Sequence, residues 1–274
     1  MNTWSGKQSI SEPENIANNI AFHLLSNEYT DYFLCVEGNT ESYFFNKNSK
    51  RSRRLGGKVR IKICDGLEYV HEVCRLLENE QCVGIIDRDY HWYHSHLSEL
   101  TSNIHQLDTN NLESFVLFQE QIIQHFNESG DSLENQFAVQ CSEQIGYLRC
   151  INHELKKKWR FKEPKTNGKL RSELINLFSR TLEDQNLENF LLGALKLYKM
   201  NPEEFNNHVS KIEQSKHYSK ARIVNGKDLF SFIKMCQNNS TYESLEKRFT
   251  NEMFQTTSLA KWLNEQGIPL NSKD

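Results

Sequence analysis

Apolar positions along the chain follow two kinds of pattern, and the change from one to the other organises the sequence. SEPENIANNIAFHLLSNEY (11–29) has a Ser/Glu/Pro start and then the spacing of an amphipathic helix. DYFLCVEG (31–38) is a compact apolar run that predicts a buried strand, and TESYFFNK (40–47) predicts the helix behind it. KVRIKIC (58–64) alternates with period two, GLEYVHEVCRLLENE (66–80) returns to helical spacing, and QCVGIIDRD (81–89) is a second buried run that ends in acids. A short strand candidate, NIHQLD (103–108), precedes the helical NLESFVLFQEQIIQHF (111–126). Strand and helix in this alternation predict βαβ units around a mostly parallel sheet, an α/β fold flanked by helices.

From about residue 130 the periodicity is helical almost throughout. LRSELINLFSRTLEDQ, LENFLLGALKLYKM and LEKRFTNEMF all carry apolar residues three and four apart. SKARIVNGKDLFSFIKMC (219–236) breaks the pattern with a short extended run, a Gly turn and a new helix start, as a late strand returning to the sheet would. The expected organisation is an N-terminal helical segment (1–30), a core (31–126) and a mainly helical region (127–274), with 219–236 as the candidate return.

Composition narrows the function classes. The 274 residues are 37% hydrophobic and 25% charged, polar but globular. With 33 Lys+Arg against 36 Asp+Glu, the net charge of −3 does not by itself point to nucleic acid, so any such role rests on local patches. No apolar stretch approaches the ~20 residues that span a bilayer. The start lacks the basic and apolar regions of a secretory signal, so a cytoplasmic protein is expected. Seven cysteines include no CxxC pair, and several sit inside apolar runs. That favours reduced, buried thiols over a disulfide framework, and a zinc site is not expected.

Two basic runs are the local patches. NKNSKRSRRLGGK (46–58) contains Lys50, Arg51, Arg53 and Arg54; ELKKKWRFKEPK (154–165) contains Lys157, Lys158, Trp159 and Arg160. Either would attract a phosphate backbone or an acidic protein, and Trp159 or Phe161 would stack on an exposed base. A solvated helix face is the ordinary alternative. His91, His94 and His96 follow the second acidic run, but no further Cys or His group completes a zinc site, so substrate contact is the stronger expectation.

The acids carry the sharper chemistry. Glu37 closes the first predicted strand, and Asp87 and Asp89 close the third. Ligands of open parallel sheets bind beyond the carboxyl ends of the strands. Carboxylates gathered there repel one another unless a cation intervenes, and an all-oxygen donor set suits Mg²⁺ or Mn²⁺. Strand alternation through Asp87-Arg88-Asp89 would turn both aspartates to one side, and Glu41 would project from the helix start toward the same crevice. Acids favouring a helix N-terminus and a polar loop are the bland alternative.

LCVEGNTESYFF followed about fifty residues later by VGIIDRDY resembles a TOPRIM domain, whose pattern is a Glu after the first strand and DxD after a later one. The VEGxTE form resembles nucleases of the OLD type. LDTNNLESFV and VNGKDLF further resemble the TOPRIM effectors that accompany ABC/AAA-type ATPases in anti-phage defence, including PARIS-type systems. The resemblance covers residues 31–126, with GKD as a distant extension.

It implies metal-dependent phosphodiester cleavage. Glu37 would be a metal ligand or general acid/base, Asp87 and Asp89 the DxD ligands, and Glu41 the ligand of a second metal. Glu113 of NLES would be an additional ligand, and Lys227 of GKD a cation facing the transition-state phosphate. An ATPase subunit would be the partner, since the chain has no GxxxxGK[ST] sequence of its own. The substrate would be nucleic acid, with tRNA slightly favoured over DNA, and a homodimer is compatible. Two rivals remain: a catalytically silent binding subunit of an ATPase complex, and a receiver or phosphatase on a similar sheet. The order of acids, Glu first and DxD later, disfavours the second.

Overall fold

The structure, a computed structural model, describes residues 12–26, 32–46, 54–56, 59–77, 81–90, 100–128, 132–155, 164–236 and 248–271. Its contacts divide the chain into two compact units: Met1–Ile86 with Ser98–Gln106 and Thr250–Asp274, and Asp87–Leu97 with Leu107–Phe249.

The first unit holds a four-stranded, all-parallel sheet. Its strands are β1 (Tyr32–Val36), β2 (Val59–Ile63), β3 (Cys82–Ile86) and β4 (Ile104–Gln106), in the order β2-β1-β3-β4. Residues Phe33 to Val36 of β1 and all of β3 are buried, as the unbroken apolar runs require. Helix α1 (Pro13–Leu25) starts with proline at its first position, where no N–H is missed. Helices α2 (Asn39–Asn46) and α3 (Leu67–Leu76) connect β1 to β2 and β2 to β3. Ile16 and Ile20 of α1 and Val70, Val73 and Cys74 of α3 form one core with Phe33, Cys35, Cys82, Ile86 and Ile104. Leu34 and Val36, which the two-residue period turns to the opposite face, are also fully buried. Gly84 lets α3 come down onto β3: a Cβ there would lie 2.8 Å from Cys74 Sγ and from Val70 Cγ1.

The second unit is helical. In chain order it contains α4 (Leu112–Leu117), α5 (Glu120–Glu128), α6 (Ser132–Leu155), α7 (Pro164–Leu182), α8 (Leu187–Tyr198), α9 (Pro202–Glu213), α10 (Lys220–Ile223) and α11 (Gly226–Cys236). Its centre is aromatic: Phe178 stacks on Phe232 at 4.4 Å and on Phe137 at 5.5 Å, with Phe190 edge-on to both Phe178 and Phe232. The last helices, α12 (Asn251–Gln255) and α13 (Ser258–Glu265), belong to the sheet unit.

Three expectations change in detail. The helix over 111–126 is two helices, because Gln119 donates its side-chain amide to the Phe115 carbonyl and its backbone N–H to Val116. The extended run at 219–224 is a helical turn, α10. β3 ends at Ile86, and Asp89 has φ 45° in the left-handed region, so strand alternation does not set the directions of Asp87 and Asp89. No helix among the described residues is long and apolar enough to cross a membrane.

Candidate functional site

The sheet order places its reversal between β1 and β3, since the chain leaves β1 for β2 on one side and then crosses to β3 on the other. The carboxyl end of such a reversal is where open α/β sheets bind ligands. Val36 and Ile85 are in register across the two strands. Glu37 follows β1 directly in the chain, and Asp87 follows β3 directly.

Within the sheet unit Glu37 is half-buried and Glu41 is 5% exposed. Glu41 sits in the first turn of α2 and its Oε2 accepts the Gly38 N–H at 2.8 Å. It therefore acts as the acid of a reversed cap, closing the turn between Glu37 and the helix.

Within the helical unit a pair of buried asparagines, absent from the sequence-based candidates, assembles the remaining acids. Asn110 is fully buried and makes bonds on every polar atom it has. Its carbonyl accepts Arg88 N–H (3.1 Å) and Asp89 N–H (2.7 Å), and its side-chain amide donates to Asp89 O. Its own N–H donates to Ala221 O, and its Oδ1 accepts the Asn225 amide at 3.1 Å. Asn111 caps α4: its Oδ1 accepts Ser114 N–H (3.0 Å) and also Gly226 N–H (3.1 Å). Leu112 N–H donates to Asp87 Oδ1 at 3.1 Å. The segments 87–90, 110–114 and 221–228 are thus tied to one another, joining the DRD, NLES and GKD motifs inside one unit. An Asn immediately before an apolar run signals a helix cap; the contact with residues more than a hundred positions away has no local signal.

The close fit brings Glu113 and Lys227 together. Glu113 is 6% exposed, and Lys227 Nζ lies 3.7 Å from its Oε1. Arg171 of α7 donates to Lys227 O at 2.7 Å. The next residue, Asp228, is buried and ion-paired with Arg149 at 2.8 Å, which raises Arg149 above its ordinary value despite burial. Arg88, by contrast, is lowered by burial and by Arg222.

Of the basic residues expected to face a phosphate backbone, Lys50, Arg51, Arg53, Lys157, Lys158, Trp159 and Arg160 lie outside the described residues, as do His91, His94 and His96. Arg54 does not fit that role. It is 2% exposed, its guanidinium stands 4.0 Å over the Phe44 ring, and it donates to the Phe44 carbonyl. Its alkyl stem and planar head make it a core residue of the sheet unit.

The cysteines are not joined in disulfides, with Cys35, Cys64, Cys74, Cys82, Cys141 and Cys150 buried and Cys236 half-buried. Three of them, Cys35, Cys74 and Cys82, meet in the sheet unit, which no spacing in the sequence signals. Thiol contacts with Cys35 and Cys74 pull Cys82 down to about 5, while thiol contacts and burial push Cys35 up. Among the described residues, the group of His, Cys, Asp or Glu side chains close enough to share a metal ion is Cys35, Cys74 and Cys82. Comparison of the chain with family models, with curated proteins and with solved structures returns no match.

Proposed function

We propose that the protein is a metal-dependent nuclease of TOPRIM type, acting as the effector of an ATPase-linked anti-phage defence system. One observation carries the reading: Glu37 directly follows β1 and Asp87 directly follows β3 where the order of a parallel sheet reverses. The union of DRD, NLES and GKD in the helical unit supports it. The donor set is all carboxylate, which fits Mg²⁺ or Mn²⁺. Glu37, Glu41, Asp87, Asp89 and Glu113 are the residues that would hold such ions. A bound Mg²⁺ would supply charge to the scissile phosphate and lower the pKa of an attacking water. Lys227, half exposed beside Glu113, would place a fixed cation where negative charge develops. The substrate class is nucleic acid, with tRNA ahead of DNA, and the ATPase is a separate subunit.

A silent binding subunit remains the rival, favoured by one fact: Glu41, Asp87 and Glu113 each already have an internal partner. The deciding experiment incubates the purified chain, alone and with its ATPase, with tRNA, single-stranded DNA and duplex DNA in Mg²⁺, Mn²⁺ or EDTA. Cleavage that needs the metal and disappears in Glu37→Ala is the expected result. Cleavage unchanged in Glu37→Ala, or none under any condition with a folded complex, would sink the proposal.

A further inference from the structure

Three thiols from three separate elements converge in the sheet unit. Cys35 in β1, Cys74 in α3 and Cys82 in β3 bring their Sγ atoms within 4.8 Å of one another, and the Cys35 and Cys82 sulfurs are 3.7 Å apart. Cys64, the residue after β2, interacts with Cys35 but lies outside this close group. All four are completely buried. We propose that Cys35, Cys74 and Cys82 form a structural site for one thiophilic cation, zinc foremost, with Cys64, beside Cys35, as the thiol that would move in as a fourth ligand.

Geometry, donor chemistry and packing agree on this. Three sulfurs, one pair 3.7 Å apart and all within 4.8 Å, enclose a point no more than about 2.6 Å from each, which admits the ~2.3 Å zinc–sulfur bond. The donors are all sulfur, which selects zinc or another soft ion over magnesium. The site is therefore chemically separate from the strand-end acids and does not depend on the nuclease reading. A separation of 3.7 Å also suits two thiols in simple contact, so distance alone decides nothing. The convergence is the stronger argument. β1, β3 and α3 each contribute one sulfur, and the missing side chain at Gly84 is what admits Cys74 Sγ against β3. Ligation would convert these thiols to thiolates, which so apolar a core tolerates only with a cation beside them, and a fourth ligand would complete a closed tetrahedral set.

Burial also dictates how the ion arrives. It would be captured as the sheet and α3 come together, so that metal binding and folding are one event. Once folded, the site would resist a chelator, and the ion would clamp α3 to the strands.

The test uses the full chain. Protein made in zinc-supplemented medium is held under reducing conditions, treated with EDTA while folded, desalted and analysed for metal. About one zinc per chain is expected. The chain is then unfolded with chelator and refolded with or without one equivalent of Zn²⁺ or Co²⁺. Zinc should raise Tm by at least about 5 °C, and cobalt should give sulfur-to-metal charge transfer with the strong visible bands of a tetrahedral thiolate site. Cys35→Ser and Cys74→Ser should abolish both signals, whereas Cys236→Ser, in the helical unit, should leave them intact. Should the serine variants fail to fold, the cobalt spectrum of the parent decides alone. No zinc as isolated, together with no cobalt thiolate band on refolding, would overturn the site; so would zinc retained in folded Cys35→Ser and Cys74→Ser.

Discussion

Gly226→Ala tests how the helical unit holds its acids, because two physical effects predict opposite signs. Gly226 opens α11, and on helix propensity alone alanine there should stabilise by up to ~1 kcal/mol. The packing says otherwise. A Cβ at 226 would lie 2.5 Å from the Glu113 carbonyl carbon and 2.6 Å from Glu113 Cβ, and the first of these is backbone that cannot rotate away. Ser114 N lies closer still, so restoring the 3.4 Å at which ordinary contact begins requires roughly 1 Å of separation between α11 and α4. That movement breaks the 3.1 Å bond from Gly226 N–H to Asn111 Oδ1 and strains the 2.6 Å bond from Ser114 Oγ to Val224 O. Overpacking of this size costs about 1–3 kcal/mol, and each buried bond left unmade adds about 1–3 kcal/mol. A net loss of roughly 1–5 kcal/mol is expected once propensity is offset. Urea unfolding followed by far-ultraviolet circular dichroism reads it directly, and on the proposed function cleavage should fall in parallel because Lys227 moves with Gly226. If Gly226→Ala proves as stable as the parent or more so, propensity has won and the close approach of α4 and α11 is wrong.

Lys227→Ala separates chemistry from stability. The lysine is half exposed and 3.7 Å from its partner, so its loss should cost under about 1 kcal/mol in denaturant titrations. Cleavage, if Lys227 serves the transition state, should fall at least ~100-fold. Arg54→Lys reverses that profile: losing the planar contact over Phe44 should destabilise by about 2–3 kcal/mol, while the salt dependence of nucleic-acid binding stays unchanged. Alkaline titration supplies a pH prediction. Burial raises Tyr198 to about 12 and also pushes Tyr90 well above its ordinary value, so both stay neutral in the fold after the unfolded chain has begun to ionise near 10. Their contribution is complete below pH 10 and is lost as pH rises through the folded values, at up to ~1.4 kcal/mol per unit for each group. Phenolate absorbance should therefore show these tyrosines ionising with unfolding; ionisation near 10 with the fold intact would contradict their burial.

The sheet was legible because burial writes itself into local pattern. The runs FLCV and CVGII have no polar interruption, and a strand buried on both faces requires that. Where expectations slipped, the deciding contact was distant in sequence. SKARIV carries apolar residues that suit a strand, yet Ala221 O and Arg222 O both accept bonds from Asn110, and that partnership holds the segment as a turn of helix. The DRD stretch likewise leaves the strand at Asp87, because Arg88 and Asp89 donate their N–H groups to Asn110 instead of to a neighbouring strand. Asn110 looks like a turn residue in the sequence; its role appears only when the segments that satisfy it are in place.

The cysteines show the same limit from the opposite direction. A zinc site is readable in a sequence when paired ligands share a turn, since the spacing then reports the geometry. Cys35, Cys64, Cys74 and Cys82 share no turn, and each sits in an apolar run whose simplest explanation is burial. Burial and ligation are not alternatives here, because a parallel sheet with a helix packed on it makes neighbours of residues that the chain keeps far apart. The sequence rule detects sites assembled by one loop and is blind to sites assembled by a fold. For the same reason the acids were easier to find than the thiols: Glu37 and the DRD run each mark the end of a strand, a position that the apolar pattern itself locates.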